Sequence, residues 1–268
     1  MRRRLLLTLC VSLCACSVPE SRGSQDFVDL VPHNASPTGI QGRSVEDRPI
    51  RAHLLGQNTG PTLLLLGAIH GDEPGSDVLV RAFEDWLRAH PIECKGLRIV
   101  TCSPLNPDGL LRGTRQNAHG IDLNRNFPAK NFRASARRGR TPLSQPESRF
   151  VARLLETYRP DLVITVHQPR RSVNWDGPAE DLARAMARRN GYRPEATVGY
   201  PTPGSLGSWV GIDQQIPILT LELPRKPGPK GSFLQENLSA LVLALASLRI
   251  VSRRTSPAGV SASPIRWR

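Results

Sequence analysis

Residues 63–75 read LLLLGAIHGDEPG, a buried strand followed at once by a candidate pair of metal ligands. Four leucines and a short apolar continuation predict a fully buried strand that stops at His70. Residues 71–75 predict a turn into a helix. Because two residues separate His70 from Glu73, a tight turn can aim an imidazole and a carboxylate at one point. Zinc accepts this pair, although an ordinary surface turn can also hold a His and a Glu.

Three later stretches supply further candidate groups. Residues 161–168 read DLVITVHQ, another short apolar strand, and its His167 can be the third ligand of a catalytic zinc. Residues 217–224 read PILTLELP and place Glu222 on an apolar strand, where an unpaired carboxylate would be costly. Residues 106–127 read NPDGLLRGTRQNAHGIDLNRNF and are rich in polar groups.

These four blocks resemble the zinc carboxypeptidase family of funnelin-type metallopeptidases. Within that family they resemble most closely the murein peptide amidase A branch, as does the later stretch YPTPGSLGSW. The resemblance extends over about residues 40 to 250, with the blocks in the same order. It implies the α/β fold of the family, a mixed and mostly parallel eight-stranded sheet flanked by helices on both faces.

The pattern along the chain independently favours an α/β sheet covered on both faces, because strands alternate with helices of about a dozen residues. The predicted strands are 50–55, 63–69, 97–102, 162–166 and 216–223, and the predicted helices are 77–89, 144–158, 179–190 and 233–250. Residues 42–50 are expected to form a turn before the first strand. His70, His167 and Glu222 lie at or near carboxyl ends of strands, where such sheets bind ligands.

The two ends of the chain differ from the middle. Residues 1–16, MRRRLLLTLCVSLCAC, predict a secretory leader, and LCAC resembles a lipobox with lipidation at Cys16. We therefore expect export to the periplasm or cell envelope and membrane attachment through an N-terminal lipid, with plain export as the alternative. Residues 17–38 predict a tether, residues 39–251 the catalytic domain, and residues 252–268 a disordered basic tail.

The net charge and the cysteine content indicate which partners and which disulfide bonds to expect. The formal net charge is +13, yet no nucleic-acid-binding motif is present, so we expect an anion-facing surface and no nucleic-acid partner. Cys94 and Cys102 are expected to be buried free thiols, because the strand rise separates them by more than a disulfide allows. The sequence does not determine the oligomeric state.

The resemblance implies roles for the central residues. His70, Glu73 and His167 would hold one zinc ion per chain and leave a fourth position for water. Glu222 would be the general base that takes a proton from this water and gives it to the leaving amine. Asp122 matches the aspartate that orients a ligand histidine, with the cap of a turn or helix as its alternative role.

The same resemblance implies how substrate is held. Arg115 would donate to the developing oxyanion, with Arg112 as the alternative if the loop has another register. Asn124 and Arg125 match the binder of the free carboxylate of the substrate. Three further matches concern the pocket: Tyr200 corresponds to the mobile tyrosine of the family, and Gly207 and Ser208 fall where the side-chain pocket is built.

The implied activity is hydrolysis of the bond between γ-D-glutamate and meso-diaminopimelate in small murein stem peptides. The two small residues Gly207 and Ser208 leave room for the polar side chain of diaminopimelate. An amidohydrolase of the aspartoacylase and succinylglutamate desuccinylase group, acting on an acyl amino acid, is one alternative. A non-catalytic wall-binding lipoprotein is another, and the presence of every catalytic residue type argues against it.

Overall fold

In the computed structural model, which describes residues 37–226 and 232–255, eight strands form one sheet. The strands are β1 (Pro37–Arg43), β2 (Pro49–Gly56), β3 (Thr62–Leu66), β4 (Arg98–Cys102), β5 (Leu162–His167), β6 (Arg170–Asp176), β7 (Arg193–Glu195) and β8 (Ile218–Pro224). Their order across the sheet is β1-β2-β4-β3-β5-β8-β6-β7. Four of the seven neighbouring pairs are parallel, which confirms the expected mixed and mostly parallel sheet.

Five α-helices are described, and the longer ones cover both faces of the sheet. They are α1 (Pro74–Ala89), α2 (Pro107–Arg112), α3 (Pro146–Tyr158), α4 (Glu180–Asn190) and α5 (Ser232–Thr255). Two 3₁₀ turns, Pro91–Cys94 and Leu123–Arg125, and a π-helical segment, Gly207–Asp213, complete the described helical structure. Helices α1, α4 and α5 share one core cluster, whereas α3 and the π-helical segment share the other.

The leucine run in β3 shows why this strand is fully buried. Leu63 and Leu65 pack in the cluster with α1, α4 and α5, and Leu64 and Leu66 pack in the cluster with α3. Successive side chains of a strand point to opposite faces, so a strand covered on both faces needs apolar residues throughout. The run therefore places β3 in the centre of the sheet, where the polar groups after it are held rigidly.

Four elements, β1, β6, β7 and α1, differ from the sequence prediction. The strand β1 was expected to be tether and turn, because PTGIQGR is polar and contains two glycines. It is an edge strand that pairs with β2, and Gly42 packs so closely on Phe150 that a β-carbon would lie 2.5 Å from its ring. Strands β6 and β7 were also not predicted. Helix α1 begins at Pro74, three residues earlier than predicted, with Glu73 as N-cap.

The cysteines, the last helix and the two ends of the chain also bear on the sequence predictions. Cys94 and Cys102 are buried free thiols, as expected. By length and composition, Phe233–Ile250 in α5 could cross a membrane, but its buried face packs with α1 and α4 in the core. The predicted leader 1–16, its Cys16, nearly all of the tether 17–38 and most of the tail 252–268 lie outside the described residues.

Candidate active site

The sheet order brings the candidate ligands to one edge. Strands β3, β5 and β8 are parallel neighbours, so their carboxyl ends meet. His70 follows β3, His167 is the last residue of β5, and Glu222 on β8 lies in register with His167. Glu73 caps the start of α1. The turn after the buried leucines thus carries two groups to a point that β5 and β8 also reach.

Three buried side chains converge there. Glu73 Oε1 lies 2.8 Å from His70 Nδ1, and Glu73 Oε2 lies 2.9 Å from His167 Nδ1. The two Nδ1 atoms lie 3.2 Å apart. Side-chain donor atoms of all three residues lie within 4.8 Å of one another. Two imidazole nitrogens and a carboxylate held this close need positive charge between them, as either protons or a cation.

The donor set matches what zinc takes in catalytic sites, namely two imidazoles and one carboxylate. The outward nitrogen of His70, Nε2, lies 3.1 Å from Asp122 Oδ1, an arrangement that fixes the ring orientation of a metal-binding histidine. His167 Nε2 is buried without a hydrogen-bond partner among the described residues. Within the described part of the chain, the polar contacts of its ring therefore all lie at Nδ1, inside the cluster.

The electrostatics of the cluster favour bound positive charge. Burial by itself would raise the pKa of Glu73, but the rings of His167 and His70 outweigh it and hold this pKa well below its usual range. Burial by itself would lower the pKa of His70, but Asp122 and Glu73 outweigh it and raise this pKa. The carboxylates thus stay ionised and draw cations toward the rings.

Asp122 makes contacts that fit both of the roles that the sequence left open. Its Oδ1 faces His70, and the same oxygen accepts the N–H of Asn124 at 3.0 Å, which caps the turn Leu123–Arg125. Its own N–H donates to the carbonyl of Arg137 at 2.8 Å. Burial opposes ionisation, but His70 and Arg115 keep the pKa of Asp122 well below its usual range.

The two candidate arginines are separated by the structure. Arg115 Nε donates to Asp122 Oδ2 at 3.1 Å, and its Nη1 donates to Glu73 Oε1 at 3.3 Å. Arg112 instead pairs with Glu46 and does not line the cleft beside the cluster. Arg115 is therefore the arginine that the fold brings to the site.

Gln168 joins three parts of the site and was not predicted. Its N–H donates to Glu73 Oε2 at 3.2 Å, and its Oε1 accepts the N–H of Gly75 at 2.9 Å. Its Nε2 donates to the carbonyl of Pro224 at 2.9 Å. The residue after His167 therefore ties the end of β5 to the start of α1 and to the end of β8.

A cleft of about 380 Å³ opens over the cluster. The predicted residues that line it are His70, Glu73, Arg115, Asn124, Arg125, His167, Tyr200, Gly207 and Glu222. The prediction for Ser208 is corrected, since this residue does not line the cleft. Its hydroxyl is buried, where it accepts from Asn131 Nδ2 at 3.0 Å and lies 3.0 Å from Ser205 Oγ.

Antiparallel β6 adds lining residues that sequence reasoning missed, among them Arg170, Asn174 and Asp176. Asp176 packs against Gly207, where a β-carbon would come within 2.1 Å of its Oδ2. Burial raises the pKa of Asp176. Within residues 37–226 and 232–255, no group forms a hydrogen bond or ion pair with its carboxylate. No local sequence signal marks Asp176, because NWDG reads as an ordinary turn.

The fold and the cluster define a zinc metallopeptidase, a hydrolase of peptide or amide bonds. The chain belongs to the zinc carboxypeptidase family, whose profile matches residues 25–236.

Among curated proteins, the chain is similar to murein peptide amidase A of Vibrio campbellii, with 29% identity over 248 residues that cover 84% of this chain and 96% of the relative. It is also similar to murein peptide amidase A of Escherichia coli K12, with 34% identity over 181 residues, or 60% of this chain and 70% of the relative.

Solved structures agree with this assignment. The murein-tripeptide amidase MpaA from Escherichia coli O157 matches with a TM-score of 0.59 and 28% identity, over 78% of this chain and 90% of that one. Thrombin-activatable fibrinolysis inhibitor matches with a TM-score of 0.66 over 77% of this chain and 70% of that one. At 19% identity, the second match shows the fold alone.

Proposed function

We propose that this protein hydrolyses the amide bond between γ-D-glutamate and meso-diaminopimelate in murein peptides, with one zinc ion per chain. The observation that carries the proposal is the carboxylate of Asp176 in the cleft, which has no hydrogen-bond or ion-pair partner among the described residues. A half-buried carboxylate without a partner is costly, and an ammonium group in the substrate would remove that cost. Diaminopimelate brings such an ammonium on its side chain. The curated relatives named murein peptide amidase A support the same substrate class.

His70, Glu73 and His167 would hold the zinc, with Asp122 fixing the orientation of His70. When bound, zinc polarises the scissile carbonyl and lowers the pKa of a water molecule. Gln168 keeps Glu73 in place through its backbone N–H. These contacts hold the donor groups in position before any ligand arrives, so little reorganisation is needed on binding.

Glu222 is suited to be the general base. It lies at the end of β8, level with His167, and is buried. Burial raises the pKa of Glu222, although His167 opposes the shift. A carboxylate whose pKa lies closer to neutral accepts a proton more readily. Glu222 would take a proton from the attacking water and deliver it to the amine of the leaving diaminopimelate.

Arg115 is suited to stabilise the developing oxyanion. Two of its nitrogens are fixed by Asp122 and Glu73, whereas Nη2 has no partner among the described residues. The guanidinium is thus fixed by its carboxylate partners with an N–H pair free to donate into the cleft. Such a preorganised donor stabilises the transition state effectively, because it needs no rearrangement as charge develops on the oxygen.

The leaving group would be held at the end of the cleft near residues 204–207. Asn124 Oδ1 accepts the N–H of Leu206 at 2.9 Å, which leaves its amide nitrogen as the donor for a substrate carboxylate. Arg125 Nη1 is held at 2.7 Å by the carbonyl of Asn124. With Asp176 nearby, this end offers donors to the α-carboxylate and an acceptor to the side-chain ammonium. Tyr200, exposed at the rim, would close over the bound peptide.

Removal of either histidine ligand should abolish metal binding. We expect the wild-type protein to retain about one zinc per chain after dialysis, and His70→Ala and His167→Ala to lose it, because two remaining ligands bind zinc weakly. Elemental analysis by mass spectrometry measures the content. His90→Ala, an exposed histidine outside the cluster, is the control and should keep its zinc. Stoichiometric zinc in both ligand variants would reject the assignment.

Glu222→Gln should separate chemistry from metal binding. The amide keeps the size of the side chain but cannot accept the proton, so we expect kcat to fall at least about a hundredfold. Zinc content and thermal unfolding should match those of the wild type. Turnover close to that of the wild type would place the base elsewhere.

The substrate proposal can be tested with L-alanyl-γ-D-glutamyl-diaminopimelate and a matched peptide that carries 2-aminopimelate, which lacks only the side-chain amine. Asp176→Asn should lower kcat/KM for the first peptide by about tenfold to a hundredfold, because a charged hydrogen bond is lost. It should leave the rate for the second nearly unchanged.

Blocked phenylalanine peptides and N-acetylaspartate provide the comparison between substrate classes. We expect the zinc form to act only weakly on either, because neither pairs Asp176. Hydrolysis of either compound at least as fast as the tripeptide would contradict the proposed substrate.

The location follows as a separate proposal. We infer that the protein is exported and lipidated at Cys16, because residues 1–16 have the charge and apolar pattern of a lipoprotein leader. Mass spectrometry of the mature chain should then find Cys16 at the N-terminus with a diacylglycerol, and globomycin should block its processing. A mature chain that begins well after residue 16 and carries no lipid would reject the anchor.

A further inference from the structure

Strand β6 crosses the cleft and places charged groups on both sides of Glu222. Its alternate residues Arg170, Asn174 and Asp176 line the cleft, and Ser172 between them lies in register with Glu222. A strand advances about 3.4 Å per residue. Arg170 therefore lies about 7 Å along the strand from the level of Glu222 in one direction, and Asp176 about 14 Å in the other.

The two directions correspond to the two sides of the scissile bond. Asp176 packs on Gly207, and the neighbouring Leu206 is hydrogen-bonded to Asn124, so this end takes the leaving group. Glu222 lies at the bond to be cleaved. Arg170 lies beyond it and thus faces the acyl part of the substrate.

The guanidinium of Arg170 is held in one orientation by hydrogen bonds, but not all of its nitrogens take part in them. Its Nε and Nη2 both donate to Glu195 Oε2, at 3.3 and 3.2 Å. Its Nη1 has no partner in the described parts of the chain. Arg193 pairs with the other oxygen of Glu195, so this group of three carries a surplus positive charge. Glu195 therefore acts as a positioning residue that leaves one edge of Arg170 free for an anion.

We propose that Arg170 binds the free α-carboxylate of the γ-linked D-glutamate and so selects peptides in which this carboxylate is not amidated. The inference rests on the proposed function. In a γ-linked glutamate the α-carboxylate carbon lies four bonds, about 5 Å, from the scissile carbonyl carbon. The backbone nitrogen of Arg170 lies 3.5 Å from Glu222 Oε2, so the Arg170 side chain begins beside the scissile bond and can span this separation. Ordinary α-linked peptides have no carboxylate on the backbone there.

The test compares two tripeptides that differ in one functional group. One is L-alanyl-γ-D-glutamyl-diaminopimelate, and the other carries the α-carboxamide of the D-glutamyl residue. Wild-type enzyme should favour the acid at least about tenfold in kcat/KM, mainly through KM, because the amide loses a charged hydrogen bond. Arg170→Gln should reduce this preference to within about twofold by slowing the acid more than the amide. Arg170→Lys should keep part of it.

Arg171→Gln is the matched control. Arg171 carries the same charge one residue further on, but it is exposed, stacks over the Tyr192 ring and does not line the cleft. This variant should keep the full preference for the acid. As an independent measure, the product L-alanyl-γ-D-glutamate should inhibit the wild type more strongly than Arg170→Gln.

The results of this test distinguish failure of the inference on Arg170 from failure of the proposed function. Equal hydrolysis of acid and amide by the wild type, or an undiminished preference in Arg170→Gln, would overturn the role of Arg170 and leave the proposed function standing. Failure of the wild type to cleave either tripeptide would overturn the proposed function and this inference with it.

Discussion

The site depends on one carboxylate that faces two imidazoles. Glu73 offers one oxygen to His70 and the other to His167, and all three side chains are buried. Buried charges of this kind persist only when they are compensated. Asp122, Arg115 and the backbone of Gln168 supply hydrogen bonds around the cluster, and a divalent cation would supply the charge. The local fold is organised to keep these donors together.

The sheet supplies the rigidity that this arrangement needs. Strands β3, β5 and β8 are buried and parallel, so the groups after them arrive at one edge with little freedom. Antiparallel β6 then runs past that edge and adds a charged group at each end of the cleft. The candidate metal ligands lie at or just after the ends of parallel strands, whereas the groups proposed to contact substrate come partly from a strand of opposite direction.

The contrast between the parallel strands and antiparallel β6 explains which site residues could be predicted from the sequence. His70, Glu73 and His167 follow buried strands in short recognisable patterns, and their convergence follows from parallel pairing. Asp176 and Arg170 could not be found in this way, because their place depends on the antiparallel register of β6 with β8. Non-local pairing of this kind leaves no periodic signal. Ser208 was predicted to line the pocket because it falls where the resemblance to the family places the side-chain pocket, but its hydroxyl forms hydrogen bonds within its own loop and with Asn131.

The central claim is that His70, Glu73 and His167 together hold the zinc. Crystals of the zinc-loaded protein, with diffraction data collected on both sides of the zinc absorption edge, test it most directly. We expect one anomalous peak within bonding distance of both Nδ1 atoms and the Glu73 carboxylate. A peak bound by other side chains, with this cluster empty in a protein that contains stoichiometric zinc, would contradict it.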